Sequence, residues 1–416
     1  MDTEQGGGST ANEAAPCAYT YAPLPPGSSI RLVRLLPEKL FATIRVEIFV
    51  SHLGAARTKS AEASVETCAT RDGDGADGPE DNYEALSYVW GSGADKVTIF
   101  VQEGRARDAS TFRVTRNLGV ALRHLRHETE IRTFWIDALC INQADEVEKT
   151  RQVSMMTRIY EGAKLVRIWL GPAADNSDIA MKALDDADDQ VDFMDKENQG
   201  LRRALESLAQ RDYWTRVWVV QEIFKAKHVK ILCGGYEADW TTATTVFQRF
   251  MEARTKALFG GDLNDHPILR RNLLRRVVGS SLASKLLDTR PMETIGYLAT
   301  HRKQPESSRG PDWLLDMLVQ LRHFGATDPR DKVFSILGLL AAHVPRHGAG
   351  FNLRVDYSLS FLDVSVEFFK YSVFAPREAE RDNLDDGPEE KRTPDQPGLL
   401  NILGASQPDT NPVFPS

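Results

Sequence analysis

The stretch Trp214-Thr-Arg-Val-Trp-Val-Val-Gln-Glu222 places aromatic, cationic and acidic side chains close together. On a helix, Trp218 and Glu222 are four residues apart and share a face, with Arg216 to one side. A carboxylate beside a large aromatic surface is partly desolvated, and desolvation raises its pKa. Such a group can act as a general acid or base, or orient a sugar hydroxyl. The alternative is structural: Glu222 pairs with an arginine or caps a neighbouring loop.

A second set of polar residues follows an apolar run. Phe134-Trp-Ile-Asp-Ala-Leu-Cys-Ile-Asn-Gln143 reads as a strand over 133–139, and Asp137 is a charge that needs a partner or a site. Asn142 and Gln143 either bind the edge of a ligand or cap the next helix. Cys140 reads as a small buried hydrophobe, with no histidine pattern to support a nucleophile. Ser87 and Tyr88, in Tyr83-Glu-Ala-Leu-Ser-Tyr-Val-Trp-Gly91, are candidate nucleotide contacts or ordinary strand residues. Glu148, Lys149 and Arg151 read as a solvated helix face. The sequence has no glycine-rich phosphate loop, no nucleophile elbow and no metal-ligand spacing.

These residues need a scaffold. IRLVRLL and FATIRVEIFV read as partner strands within 19–53. YEALSY and KVTIFVQ are further strands, the second in a hairpin-like excursion. A helix follows, capped by Thr115, with Leu118, Leu122 and Leu125 on one face. The strand at 133–139 leads to a helix over 144–163 with a buried stripe of Val153, Met156, Tyr160 and Ala163, then to the strand KLVRIWLG. Leu201 to Leu208 is a helix, Asp212 caps the helix YWTRVWVVQEIFKA, and VKILC is one more strand. This alternation predicts an α/β fold over 83–240, with a mostly parallel sheet covered by helices on both faces. Polar groups at the strand ends then fall where open α/β sheets place their crevices.

Around that unit, residues 1–18 and 54–81 are small, polar and Gly-rich or charged, and are expected to be disordered. Residues 241–375 read as a helical region. Asp328 with Pro329 starts one of its helices, and Ser360 caps another. Residues 376–416 read as a charged, Pro-rich linker and tail. The chain has 416 residues, a net charge of −8 and four scattered cysteines. The charge leaves no footprint for nucleic acid. The cysteines fit reduced thiols in the cytoplasm. The N-terminus lacks a secretory signal, and the longest apolar run, Val333 to Val344, is too short to span a bilayer.

Together, Tyr83–Gly91, Thr115-Arg-Asn-Leu118, Trp135–Gln143, Arg151-Gln-Val153, Trp169-Leu-Gly171 and Arg216–Glu222 resemble the fungal heterokaryon incompatibility (HET) domain, over about residues 83–235. Tyr21-Ala-Pro-Leu, Asp328-Pro-Arg-Asp-Lys-Val-Phe and Val355-Asp-Tyr357 resemble its flanking text. Lys149 stands where the family usually has arginine, and the chain ends where relatives often continue. The resemblance implies an effector of fungal non-self recognition that triggers programmed cell death, a form of innate immunity, and an unidentified recognition partner. It also implies a flavodoxin-like, TIR-like fold. Some TIR domains cleave NAD through a helical glutamate four residues after a tryptophan. Glu222 matches that glutamate and Trp218 that tryptophan, whereas Val219 replaces a cysteine and Arg216 a small residue. Three implied outcomes stay open: an effector acting by assembly into a homo-oligomer, an NAD-consuming hydrolase, and a diverged paralogue. On the hydrolase reading NAD is the substrate, no metal is needed, and Ser87, Tyr88, Asp137, Asn142, Gln143 and Trp218 surround it.

Overall fold

The computed structural model describes residues 17–54, 82–102, 109–259, 317, 321, 324–340 and 354–374. The expected disorder of 1–18 and 54–81 lies almost wholly outside these residues. So do the tail 376–416 and most of the helical stretch between Phe259 and Phe324.

The described residues contain one nine-stranded sheet, in the order β5-β4-β2-β1-β6-β3-β7-β8-β9. Its strands are β1 (Ser29–Leu35), β2 (Arg45–His52), β3 (Glu84–Tyr88), β4 (Lys96–Gln102), β5 (Ala109–Thr115), β6 (Arg132–Trp135), β7 (Leu165–Trp169), β8 (Val229–Cys233) and β9 (Tyr236–Asp239). The centre, β6-β3-β7-β8, is parallel. All five residues of β3 are buried, as befits a strand covered on both sides. The flanks alternate: β1 runs antiparallel to β2 and β6, β2 runs parallel to β4, and β5 and β9 are antiparallel edges. The fold is therefore mixed α/β with a parallel heart.

The expected pairing of IRLVRLL with FATIRVEIFV is present, in the register Val33 opposite Ile48. The expected excursion at KVTIFVQ differs. Strand β4 forms its hairpin with β5 rather than with β3. The reason lies in ASTFRVT, where Phe112 is half-buried and Val114 buried, so alternate residues supply the half-apolar face that a hairpin partner needs.

Helix α1 (Arg116–Leu125) starts as predicted, with the Thr115 hydroxyl accepting from the Leu118 amide. Its buried face includes Leu118, Leu122 and Leu125. The strand expected over 133–139 stops at Trp135, because Asp137–Cys140 coil into a short helix, α2. Helix α3 (Glu146–Gly162) buries Val153, Met156 and Tyr160, followed by Ala163. Its cap is Asp145, which accepts from the Val147 and Glu148 amides, so neither Asn142 nor Gln143 caps it.

Glu148 does not join a solvated face. It is 6% exposed and bonds the equally buried Arg31 of β1 through both carboxylate oxygens, at 2.5 and 3.0 Å. Arg31 also donates to the carbonyls of Ala22 and Cys140, and the Tyr21 hydroxyl donates to the Leu139 carbonyl. The leader Tyr21-Ala-Pro-Leu is thereby fixed against α2 and the start of α3.

Beyond β7 come α4 (Ser177–Asp186), α5 (Gln199–Ala209), a 3-10 turn at Asp212–Thr215, α6 (Val219–Phe224) and α7 (Trp240–Phe259). Helices α4, α5 and α7 pack together. Helices α3 and α6 pack with α8 (Asp331–Leu340), and α9 (Phe361–Phe374) lies against α8. Ser360 caps α9 reciprocally with Asp363, as expected. No described helix is long and apolar enough to cross a membrane.

Candidate functional site

The helix expected over Tyr213–Ala226 is broken in two. The backbone at Arg216 is extended, with φ −79° and ψ 131°, and it bridges to Gly325. The Gly325 amide donates to the Thr215 carbonyl at 2.6 Å, and the Val217 amide donates to the Gly325 carbonyl at 3.2 Å. The break turns Arg216 toward the carboxyl end of β3, where its guanidinium donates to the Tyr88 carbonyl. Helix α6 then carries Glu222 to the same place. Gln221 holds the helix by donating to the Thr157 hydroxyl of α3.

Glu222 is 1% exposed. Ser87 donates its hydroxyl hydrogen bond to the Glu222 carboxylate and sits 2.6 Å from the Tyr213 hydroxyl. Asp137 begins α2 just past the end of β6. One of its oxygens accepts from the Trp90 indole at 2.6 Å, the other from the Ala138 amide at 2.7 Å. Thus β3, β6, α2, the 3-10 turn and α6 converge at one end of the parallel strands. Gly91 ends the β3 segment with φ +78°, a backbone that favours glycine. Just before it, Asn117 ties the Val89 carbonyl to the Trp169 indole at 2.6 and 3.0 Å.

The electrostatics follow from two carboxylates and one guanidinium that feel one another's charge in a poorly solvated place. Burial pushes Glu222 up to about 7, against the pull of Arg216 and the Ser87 hydrogen bond, with Asp137 adding a further push. Burial likewise raises Asp137, although Arg216 and Trp90 oppose it. Arg216 is held above its ordinary value by Glu222 and Asp137, which outweigh its burial. Burial raises the Tyr88, Tyr160 and Tyr213 hydroxyls, so they stay neutral hydrogen-bonding groups. A carboxyl titrating near neutrality can give or take a proton at working pH. In its ionised form, next to Arg216, it can face a developing positive charge.

Of the residues singled out in the sequence, the structure gathers Ser87, Tyr88, Asp137 and Glu222. Gln143 reaches the Asp137 carbonyl at 3.2 Å. Asn142 is occupied within its own loop, accepting from the Ala144 amide at 3.2 Å through its side chain. Trp218 lies beside the Asp331 carboxylate of α8. Tyr160 reads in the sequence only as part of a buried helix stripe, and Tyr213 and Trp90 carry no expected role at a site. Tyr213 and Trp90 each stand within motifs already quoted, but nothing local marked them as partners of Glu222 and Asp137. Cys140 is fully buried, and burial pushes its thiol up to about 12, far from a reactive thiolate. Among the described residues no group of histidine, cysteine and carboxylate side chains could hold a metal ion.

A mixed α/β domain with a carboxylate–arginine cluster at its strand ends is thus the class defined by fold and site. Residues 83–222, which span that cluster, match the family model for heterokaryon incompatibility protein (HET). The chain is also similar to heterokaryon incompatibility protein 6, OR allele, of Neurospora crassa, with 29% identity over 341 residues. That similarity covers 68% of this chain and 45% of the relative, so the chain spans less than half of the relative's length. No solved structure matches it.

Proposed function

We propose that this chain acts in fungal heterokaryon incompatibility, as a HET-domain effector that triggers programmed cell death in the cytoplasm through regulated self-association. The observation that carries this reading is the extent of the similarity. It runs over 341 residues, well past the 83–222 of the family model, to a protein whose name records incompatibility. The test is inducible expression of the full chain in a fungal host, with viability and particle size followed together. Cell death that tracks assembly supports the proposal. Normal growth at high expression, with or without assembly, counts against it.

A second reading has its own support, the Glu222 cluster. On this reading the domain is a TIR-like NAD glycohydrolase. The bond between the nicotinamide nitrogen and the ribose breaks, and its electron pair leaves with nicotinamide. Ionised Glu222 faces the positive charge that develops on the ribose. Water then adds to the anomeric carbon and gives up a proton, so NAD and water become ADP-ribose, nicotinamide and a proton. Asp137 and Arg216, the half-buried members of the cluster, are the groups a nucleotide meets first. The test is NAD followed over time with the purified chain beside Glu222→Ala. Loss abolished by the substitution supports hydrolysis. Unchanged NAD together with cell death leaves assembly as the mechanism.

A further inference from the structure

The peptide that aims Arg216 and Glu222 is held from outside the family-matched residues. Two backbone hydrogen bonds join Thr215 and Val217 to Gly325. A few residues on, helix α8, which packs against α6, begins at Asp331; this carboxylate lies beside Trp218 and accepts from the Tyr357 hydroxyl at 2.7 Å. Tyr357 is held in turn. The Phe334 ring meets it edge-on at 5.1 Å, and the Lys149 ammonium lies 5.3 Å from its ring centre. Arg330 bonds both oxygens of Asp328 and donates to the carbonyls of Tyr357 and Leu359 at 2.6 and 2.7 Å. These contacts form a chain of fixed groups from α3, through Tyr357 and Asp331, to Trp218, the residue that precedes α6.

We infer that Gly325, Asp331 and Tyr357 are positioning residues for Arg216 and Glu222, and that residues 324–340 and 354–374 complete the site as a brace on the Thr215–Trp218 peptide. The functional consequence rests on the reading of Arg216 and Glu222 as the working pair; the brace itself does not. Helix α6 is short, spanning Val219–Phe224, and the extended residue before it cannot continue a helix. A short helix has little intrinsic stability, so its direction depends on what holds its ends. At the N-terminal end the holder is Gly325 and the Asp331–Trp218 contact. At the Gln221 position it is Thr157. Loss of the first leaves α6 free to turn about the second, which moves Arg216 off the Tyr88 carbonyl and Glu222 off Ser87.

The experiment uses the full chain and two variants, Asp331→Asn and Tyr357→Phe. The second removes one hydroxyl and keeps the ring, so it preserves packing where the first threatens folding. Amide exchange is measured by mass spectrometry, and the carboxyl titration of Glu222 by carbon NMR, with Glu222→Gln assigning the signal. Exchange in peptides covering 213–224 is expected to quicken about tenfold, while peptides of β1, β3 and β7 stay unchanged. The Glu222 midpoint is expected to move in the same variants, which a contact that only added global stability would not cause. Unchanged exchange at 213–224 and an unmoved midpoint in the folded Tyr357→Phe chain overturn the inference. An absence of NAD loss in the unaltered chain sinks the hydrolase reading alone, because both readouts follow the brace without substrate.

Discussion

The Ser87 hydroxyl donates to the Glu222 carboxylate and so joins the end of a central strand to a helix 135 residues later in the chain. The bond is buried, and it restrains a group that burial would otherwise push further from its ordinary pKa. In Ser87→Ala that restraint is gone, and the Glu222 midpoint should rise beyond about 7. The Tyr213 hydroxyl also loses its partner, so stability should fall by about 1–3 kcal/mol. Carbon NMR of the glutamate carboxyls reads the midpoint. A midpoint that stays put or drops would contradict the assignment.

Glu222 also makes stability depend on pH with a fixed sign. Its pKa is about 7 when folded, against an ordinary 4.5. Below the lower value both states are neutral, and the contribution to stability is fully present. Between the two values the unfolded chain gives up a proton that the folded chain retains, so stability falls as pH rises. Above the upper value both states are ionised and the loss is complete. Glu222→Gln lacks this titration. It should therefore gain on the unaltered chain by roughly 1–3 kcal/mol between about pH 4.5 and pH 8. Denaturant unfolding at the two pH values measures the gap, and a constant gap would show that Glu222 is not the group responsible.

The Arg31–Glu148 pair is a separate structural bet. Both members are nearly inaccessible, so truncating one strands the other's charge. Arg31→Met should destabilise the chain by about 3–5 kcal/mol. Adding Glu148→Leu in the same chain should recover most of that loss, because two apolar side chains need no partner. Failure of the double variant to recover would mean that the other bonds of the pair carry the energy instead, those of Arg31 to Ala22 and Cys140 and that of the Asn142 amide to Glu148.

Gly234 has a backbone reason for its identity. Its φ is +56°, and an added Cβ would lie 3.0 Å from the Ala173 nitrogen and 2.8 Å from the Ala173 Cβ. Strain and crowding act together, so Gly234→Ala should cost at least about 2 kcal/mol. Thermal unfolding of the variant checks this, and an unchanged midpoint would rule it out.

What the sequence made legible tracks how local the cause is. The apolar runs at 84–88, 165–169 and 229–233 announce buried strands, and Thr115 and Ser360 announce helix starts through residues three or fewer positions away. Tyr236–Asp239 carries no such signal, because it is a strand only by pairing with β8. Glu148 reads as solvated until Arg31, 117 residues earlier, is brought beside it. The break at Arg216 is invisible for the same reason: its partner, Gly325, is remote. Residue type and spacing point to Glu222. Its depth and its neighbours Tyr213 and Ser87 came only with the fold.

The sheet order has a practical consequence for anyone dividing this protein. Strands β1 and β2 precede the residues that match the family, yet they lie between β4 and β6 in the sheet. A fragment cut at 83–222 keeps β3 to β7 but drops those two inner strands, along with β8 and β9 beyond its far end. It is then two pieces of sheet with a gap between them, and raw backbone edges on both sides of the gap. Such edges invite strands from other copies. Clumping of that fragment would therefore report the missing strands, and only the uncut chain can reveal whether assembly is a property that selection put there.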